Sequence, residues 1–280
     1  MSRDRIKLLL GMLDDPDVNS AVSVMGELLR CDTNELLPLL GEFQESSDLL
    51  LRKRVHELQS IVNMRKRRQH FAQILEKPEF DVFEALIELH LLWFDRDTPE
   101  MLAEMLRTFM SVAANNQISN IRDLGAFMMR NNFALPPEDE AMEPENFCIG
   151  PVLEDRLGAD IILCTLALLA GIDAGLELGM VRVAGRFAVI NAAGEMIAPD
   201  NDWMPDQVSK LERGDFWNDP RAVFKYAASM LFLYAAGSDN FRYIHTIGHA
   251  LCGSDGGSVL DFLPYPYNGS SEPPGNNPDK

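Results

Sequence analysis

Cysteine, histidine and long apolar runs are scarce in this chain, and each shortage closes off a class of protein. Four cysteines (Cys31, Cys148, Cys164 and Cys252) are scattered over 280 residues with no short paired spacing. That pattern argues against a disulfide framework and for reduced, buried thiols in a cytoplasmic protein. The longest apolar stretch, IILCTLALLAGI at 161–172, stops at Asp173, short of the roughly 20 residues that span a bilayer. The opening MSRDRIKLLLGMLDDPD holds too short an apolar run for a signal peptide. The expectation is a soluble, cytoplasmic protein with no membrane partner.

Positive charge is also scarce, but only in one part of the chain. The formal net charge is −18, yet residues 1–77 carry 12 basic and 12 acidic residues, so the whole excess falls in 78–280. A surface that acidic repels phosphate backbones and anionic lipid. Nucleic acid is therefore not an expected partner, and any contact with it would be confined to the first part. There, Arg52, Lys53, Arg54, Arg65, Lys66, Arg67 and Arg68 supply 7 of the 25 basic residues within 17 positions. No aromatics interleave them as nucleic-acid binding would favour. The run reads as a helix face that docks on the acidic later part of the chain or on an acidic protein partner.

What is present is helix. With 46% apolar residues and regular Leu/Ala/Met stretches, the composition fills a real core and favours a mostly helical fold. Apolar residues recur at helical spacing before and after DDPDVNS, predicting a tight helical hairpin in 3–30. DTNELLPLLGEF and the long segment up to Leu75 predict a second hairpin with a longer outer helix. Such paired units are similar to HEAT or armadillo repeats, though two are fewer than an array needs alone. Three more helices are expected between Phe80 and Phe133, then an exposed acidic loop at 134–147, a short helix, a break at Gly158 and a buried helix starting near Asp160. VRVAGRFAVINAAGEMIAPDND at 181–202 reads as two strands, a turn at AAGE and a third strand. A helical hairpin at 214–256 and a disordered tail at 257–280 close the chain.

Few residues carry obvious chemistry. Cys164 lies about one turn into the buried helix, where a thiol is first a small core residue and only second a nucleophile. Cys148, beside the acidic loop, reads as the better exposed thiol. His245, His249 and Cys252 share a helix face at i, i+4 and i+7, but the glutamate that metalloproteases place after the first histidine is Thr246 here. No metal or other cofactor is expected. His56, His70 and His90 stand alone on helices.

Between Asn146 and Asp202 the pieces VLEDRLGADIIL, AGIDAGLELGMV, AGRF and IAPDND resemble the VL..R.G.P..L, A..LGL, PGHF and DPF.GG motifs of the SirB-type branch of the transglutaminase-like superfamily. The resemblance spans roughly residues 5–252 and is tightest over some fifty of them. It implies an α+β, predominantly helical fold: a HEAT-like region at 1–77, a papain/transglutaminase-like core at 78–213 with a small antiparallel sheet, and the C-terminal hairpin. It also implies a cysteine at a helix N-terminus, a histidine on the next strand and an acid to orient it. Here the helix start is GADII, the histidine position is Arg186 and the acid falls on Ala198. An arginine cannot serve as base. Gly158, Asp160, Arg186 and Asp200 would then form a vestigial pocket, with Arg186 beside the helix N-terminus and paired to Asp160 or Asp200. The chain reads as a non-catalytic protein-binding or scaffold module. The alternative is a cysteine-dependent hydrolase or acyltransferase using Cys164 or Cys148 with His245 or His249.

Overall fold

Aspartate caps recur at the helix starts. A computed structural model describes residues 1–208, 210–238 and 241–252; the tail expected at 257–280 lies outside them. The chain forms α1 (Arg3–Gly11), α2 (Val18–Leu28), α3 (Thr33–Gln44), α4 (Leu49–Glu76), α5 (Val82–Trp93), α6 (Pro99–Ala114), α7 (Ile121–Arg130), α8 (Ile149–Asp155) and α9 (Asp160–Asp173). After the sheet come α10 (Pro220–Gly237) and α11 (Phe241–Cys252). Asp17, Asp32, Asp48, Asp81 and Asp219 accept first-turn N–H groups of α2, α3, α4, α5 and α10, and prolines occupy the first turn of α6 and α10. Both expected N-terminal hairpins form, as α1/α2 and α3/α4.

Four antiparallel strands, β1 (Leu178–Val183), β2 (Arg186–Asn191), β3 (Glu195–Ile197) and β4 (Asp206–Gln207), lie in the order β1-β2-β3-β4. Strand β4 is one more than the sequence pattern predicted, a two-residue pairing too short to leave an alternation. Ala184 and Gly185 turn β1 into β2 with φ of 49° and 86°, the left-handed pair that a two-residue hairpin requires. Strand β2 is buried on both faces: Phe187 and Val189 join the main core, while Ala188 and Ile190 join a small cluster with Val181 and Ala198. Helix α9 packs on β1 and β2 on one side and on α6, α7 and α10 on others, which is why its sequence is apolar all round.

Two larger cores share one helix. Residues from Ile6 to Val62 form the first, and residues from Phe71 onward form the second. Helix α4 contributes Leu51, Val55, Leu58, Ile61 and Val62 to one and Phe71, Ile74 and Leu75 to the other. Its apolar stripe changes side where the cores change.

The basic run lies on this helix, and Arg54, Arg65 and Arg67 reach main-chain carbonyls. Arg54, only 8% exposed, donates to Leu13 O at 2.8 Å and to Asp15 O. Arg65 donates to Leu29 O at the end of α2. Arg67 donates to Leu91 O in the last turn of α5 and to Asp97 O at 3.0 Å. Arg68 reaches His245 Nδ1 at 3.1 Å on α11. Lys53 and Lys66 are exposed and Arg52 is half-buried. Arg67 and Arg68 thus pack on the later part of the chain; the last carbonyls of a helix have no partner within it, and the guanidinium groups of Arg54, Arg65 and Arg67 supply one.

Because the acceptors are neutral, the contribution should resist salt. Arg54→Ala is expected to cost about 2 kcal/mol, since two buried carbonyls lose their donor, whereas Lys53→Ala stays within about 0.5 kcal/mol. Urea unfolding at low and high salt checks both. A loss at Arg54 that vanishes in high salt would point to carboxylate pairing instead.

Candidate functional site

The N-terminus of α9 meets β2, and two side chains one helical turn apart determine how. Asp160 accepts Phe187 N–H at Oδ2 (3.0 Å) and Ile161 N–H at Oδ1 (2.8 Å). Cys164 Sγ donates to Phe187 O at 3.4 Å. Both peptide groups of Phe187 are therefore held by α9. The i, i+4 spacing puts the carboxylate and the thiol on one helix face, and the strand lies across that face.

This clamp changes the chemistry of both groups. Burial pushes the Asp160 carboxyl above its usual range, opposed by the N–H groups of Phe187 and Ile161 and by the charges of Arg186 and Arg182. Burial, reinforced by the negative charges of Asp160 and Asp200, pushes the fully buried Cys164 thiol well above the ordinary thiol range. A thiol held protonated is a poor nucleophile.

Arg186 opens β2, an interior strand, one residue before the Phe187 clamp. It is exposed and, among the described residues, makes no ion pair with Asp160 or Asp200. The expected pairing is corrected: Asp160 spends its oxygens on main-chain N–H groups, and Asp200 is exposed in the short 3-10 turn Pro199–Asn201. Gly158 is buried and its N–H donates to Ala134 O at 3.1 Å, tying the loop to the α9 entry. A side chain there would meet Val152 at 2.9 Å.

The cation that does cover this place is Arg182, which the sequence pattern did not single out. Its guanidinium carbon lies 5.3 Å from the Phe187 ring, 5.9 Å from Trp217 and 5.0 Å from Tyr226. The three rings meet edge to face at 5.0 to 5.6 Å, so a partly buried cation rests on a triad of π-faces. Tyr226 and Trp217 come from α10 and the segment before it, beyond the reach of local motif reading.

Cys148 is buried, not exposed as expected. The acidic loop is anchored at both ends, by the Ala134–Leu157 bridge and by Ala159 N–H donating to Asn146 O at 2.8 Å, and Cys148 belongs to the main core. Burial, then the charges of Glu145 and Asp97, raise its pKa well above the usual value. A histidine set aside in the sequence lies nearby. His90, 1% exposed, bonds through Nε2 to Asp97 Oδ2 at 2.8 Å and accepts Gly150 N–H at Nδ1, 3.2 Å. Gly150 is required by this approach, since a Cβ there would stand 2.7 Å from His90 Cε1. With Nδ1 accepting, the ring is the neutral Nε2–H tautomer donating to Asp97. Burial lowers the His90 pKa against the pull of Asp97.

His245 and His249 lie on α11 with ring centroids 4.3 Å apart. His245 is buried and accepts from Arg68, while Cys252 is exposed at the helix end. Burial, then the charges of Arg68 and His249, lower the His245 pKa to about 4. Among the described residues no three His, Cys, Asp or Glu side chains are grouped to hold a metal ion. Neither Cys148 nor Cys164 hydrogen-bonds to a histidine among them. No helix there is long and apolar enough to cross a membrane. No family model, curated protein or solved structure matches the chain.

Two outcomes follow from this geometry. Iodoacetamide on the native protein is expected to label Cys252 and, more slowly, the half-buried Cys31, while Cys148 and Cys164 react only after unfolding; peptide mass spectrometry reads this. Unfolding free energy is also expected to fall as pH drops from 6.5 toward about 4, because the unfolded chain takes up a proton at His245 before the folded one does. His245→Gln should reduce that slope, leaving the part that His90, its pKa likewise lowered, contributes, and an unchanged slope would assign it elsewhere.

Proposed function

We propose that the chain is a non-catalytic, SirB-type member of the transglutaminase-like superfamily, with HEAT-like helical hairpins at its N-terminal end, and that it acts as a protein-binding or scaffold module. One observation carries the reading. At the helix entry where that chemistry needs a nucleophile, Asp160 and Cys164 are both spent on the peptide groups of Phe187. A side chain that fastens a strand to a helix is not available to attack a carbonyl. Arg186 stands at the histidine position and keeps its proton at any physiological pH. The order of helix, strand, strand and acidic segment matches the quoted motifs, and this supports the family assignment.

A second reading has one specific observation in its favour. Cys148 forms the N-cap of α8, and the His90–Asp97 pair touches that helix at Gly150. A thiol, an imidazole and a carboxylate gathered at a helix start are the parts of a cysteine hydrolase. Against it, His90 Nδ1 already accepts the Gly150 N–H and the thiol is sealed.

Steady-state assays with amide, ester and amine-acceptor substrates decide between them. No thiol-dependent turnover is expected, and Cys148→Ala and Cys164→Ala should behave as the parent does. Turnover abolished by Cys148→Ala and by His90→Gln, with both variants folded by circular dichroism, would establish the hydrolase instead.

A further inference from the structure

An apolar opening lies away from the Asp160 clamp. It runs along the far end of α9, between the start of α5 and the start of α10. Two adjoining depressions of about 440 and 890 Å³ share Val82, Leu169 and Ile172. Phe80 and Phe83 line one end and Trp217 the other. Ile172 is 53% exposed although it continues the apolar face of a core helix. Isolated apolar residues on a surface need no explanation, but a continuous trough of them marks a binding site.

Acidic side chains outnumber basic ones around the trough. Glu79, Asp81 and Glu84 line the larger depression, and exposed Asp173 and Glu177 flank the lining residues Ile172 and Leu178. The neighbouring cations are already engaged. Lys77 is held by Glu84 at 2.8 Å, and Arg221 donates to Lys77 O and to Pro78 O at 2.8 Å while lying 5.4 Å from the Phe80 ring. An apolar floor with an acidic rim complements one kind of segment, an amphipathic helix with basic residues beside its apolar stripe.

We propose that this trough is the docking site for a basic amphipathic helix of a partner protein. The proposal deepens the binding-module reading and rests on it. Two to three turns of helix would place apolar anchors at i, i+3 or i+4, and i+7 over Phe83, Ile172 and Trp217, with lysine or arginine meeting Glu79, Asp173 and Glu177. Charge alone would make any basic peptide stick to a chain of net charge −18, so the test must separate the trough from the general field.

Fluorescence anisotropy with a labelled 18-residue leucine/lysine amphipathic helix does this on the full chain. The probe is expected to bind in the micromolar range, and a leucine/glutamate helix of the same pattern is not. Ile172→Asp adds negative charge, so attraction to the general field would tighten while docking in the trough would weaken; at least a tenfold weakening is expected. The combined Glu79→Lys, Asp173→Lys and Glu177→Lys variant should weaken it similarly, and Leu233→Asp, at an exposed site on α10, should not. Unchanged or tighter binding by Ile172→Asp, or equal binding of the glutamate helix, would overturn the proposal. So would displacement of the probe by a peptide of residues 256–270 at lower concentration than by the unlabelled lysine helix, which would make the chain's own tail the occupant. These outcomes leave the non-catalytic reading to the turnover assay, which they do not touch.

Discussion

The contact on which the rest depends is that between guanidinium groups of α4 and the carbonyl ends of other helices. A helix leaves its last carbonyls without partners, and the eleven helices among the described residues multiply that cost. Helix α4 answers it from one rod: Arg54 caps the turn after α1, Arg65 the end of α2 and Arg67 the end of α5. Arg221 of α10 does the same for the end of α4 itself. An arginine suits this role better than a lysine, because its planar fork serves two carbonyls at once. The same rod carries apolar residues into both large cores, so the caps fix the direction in which each neighbouring helix leaves it.

That arrangement passes to the α9 end of the molecule through α5. Arg67 holds the end of α5 and the Asp97 carbonyl, while the Asp97 carboxylate holds His90 and His90 holds the Gly150 N–H at the start of α8. Helix α8 leads to Gly158 and the clamp of Asp160 and Cys164 on Phe187. Each polar group along this path holds a main-chain or side-chain partner. The Asp97 and Asp160 carboxylates, the His90 imidazole and the Cys164 thiol are all engaged in this way.

Much of the helical plan was legible because its signals are local. Asp17, Asp48 and Asp81 mark helix starts within three residues of the groups they cap, and the short apolar run in RFAVIN with a following AAGE marks a strand and a turn. What was not legible depends on distance. The basic run could be read only as charge, since its targets at Leu13, Leu29 and Leu91 are carbonyls that every residue possesses. Cys148 looked exposed because its acidic surroundings were visible and its packing into the main core was not. Asp160 was singled out correctly as a helix start, but its partner, a main-chain N–H across the sheet, leaves no trace in composition. Arg182 draws its three rings from Phe187, Trp217 and Tyr226, a set that exists only once β1, β2 and α10 come together.

If α4 is the shared strut of both cores, neither core can lose its structure while the other stands. Differential scanning calorimetry of the full chain tests this most directly. A single transition is expected, with calorimetric and van't Hoff enthalpies in a ratio near one. Two resolved transitions, one for the helices before Val62 and one for the remainder, would contradict it.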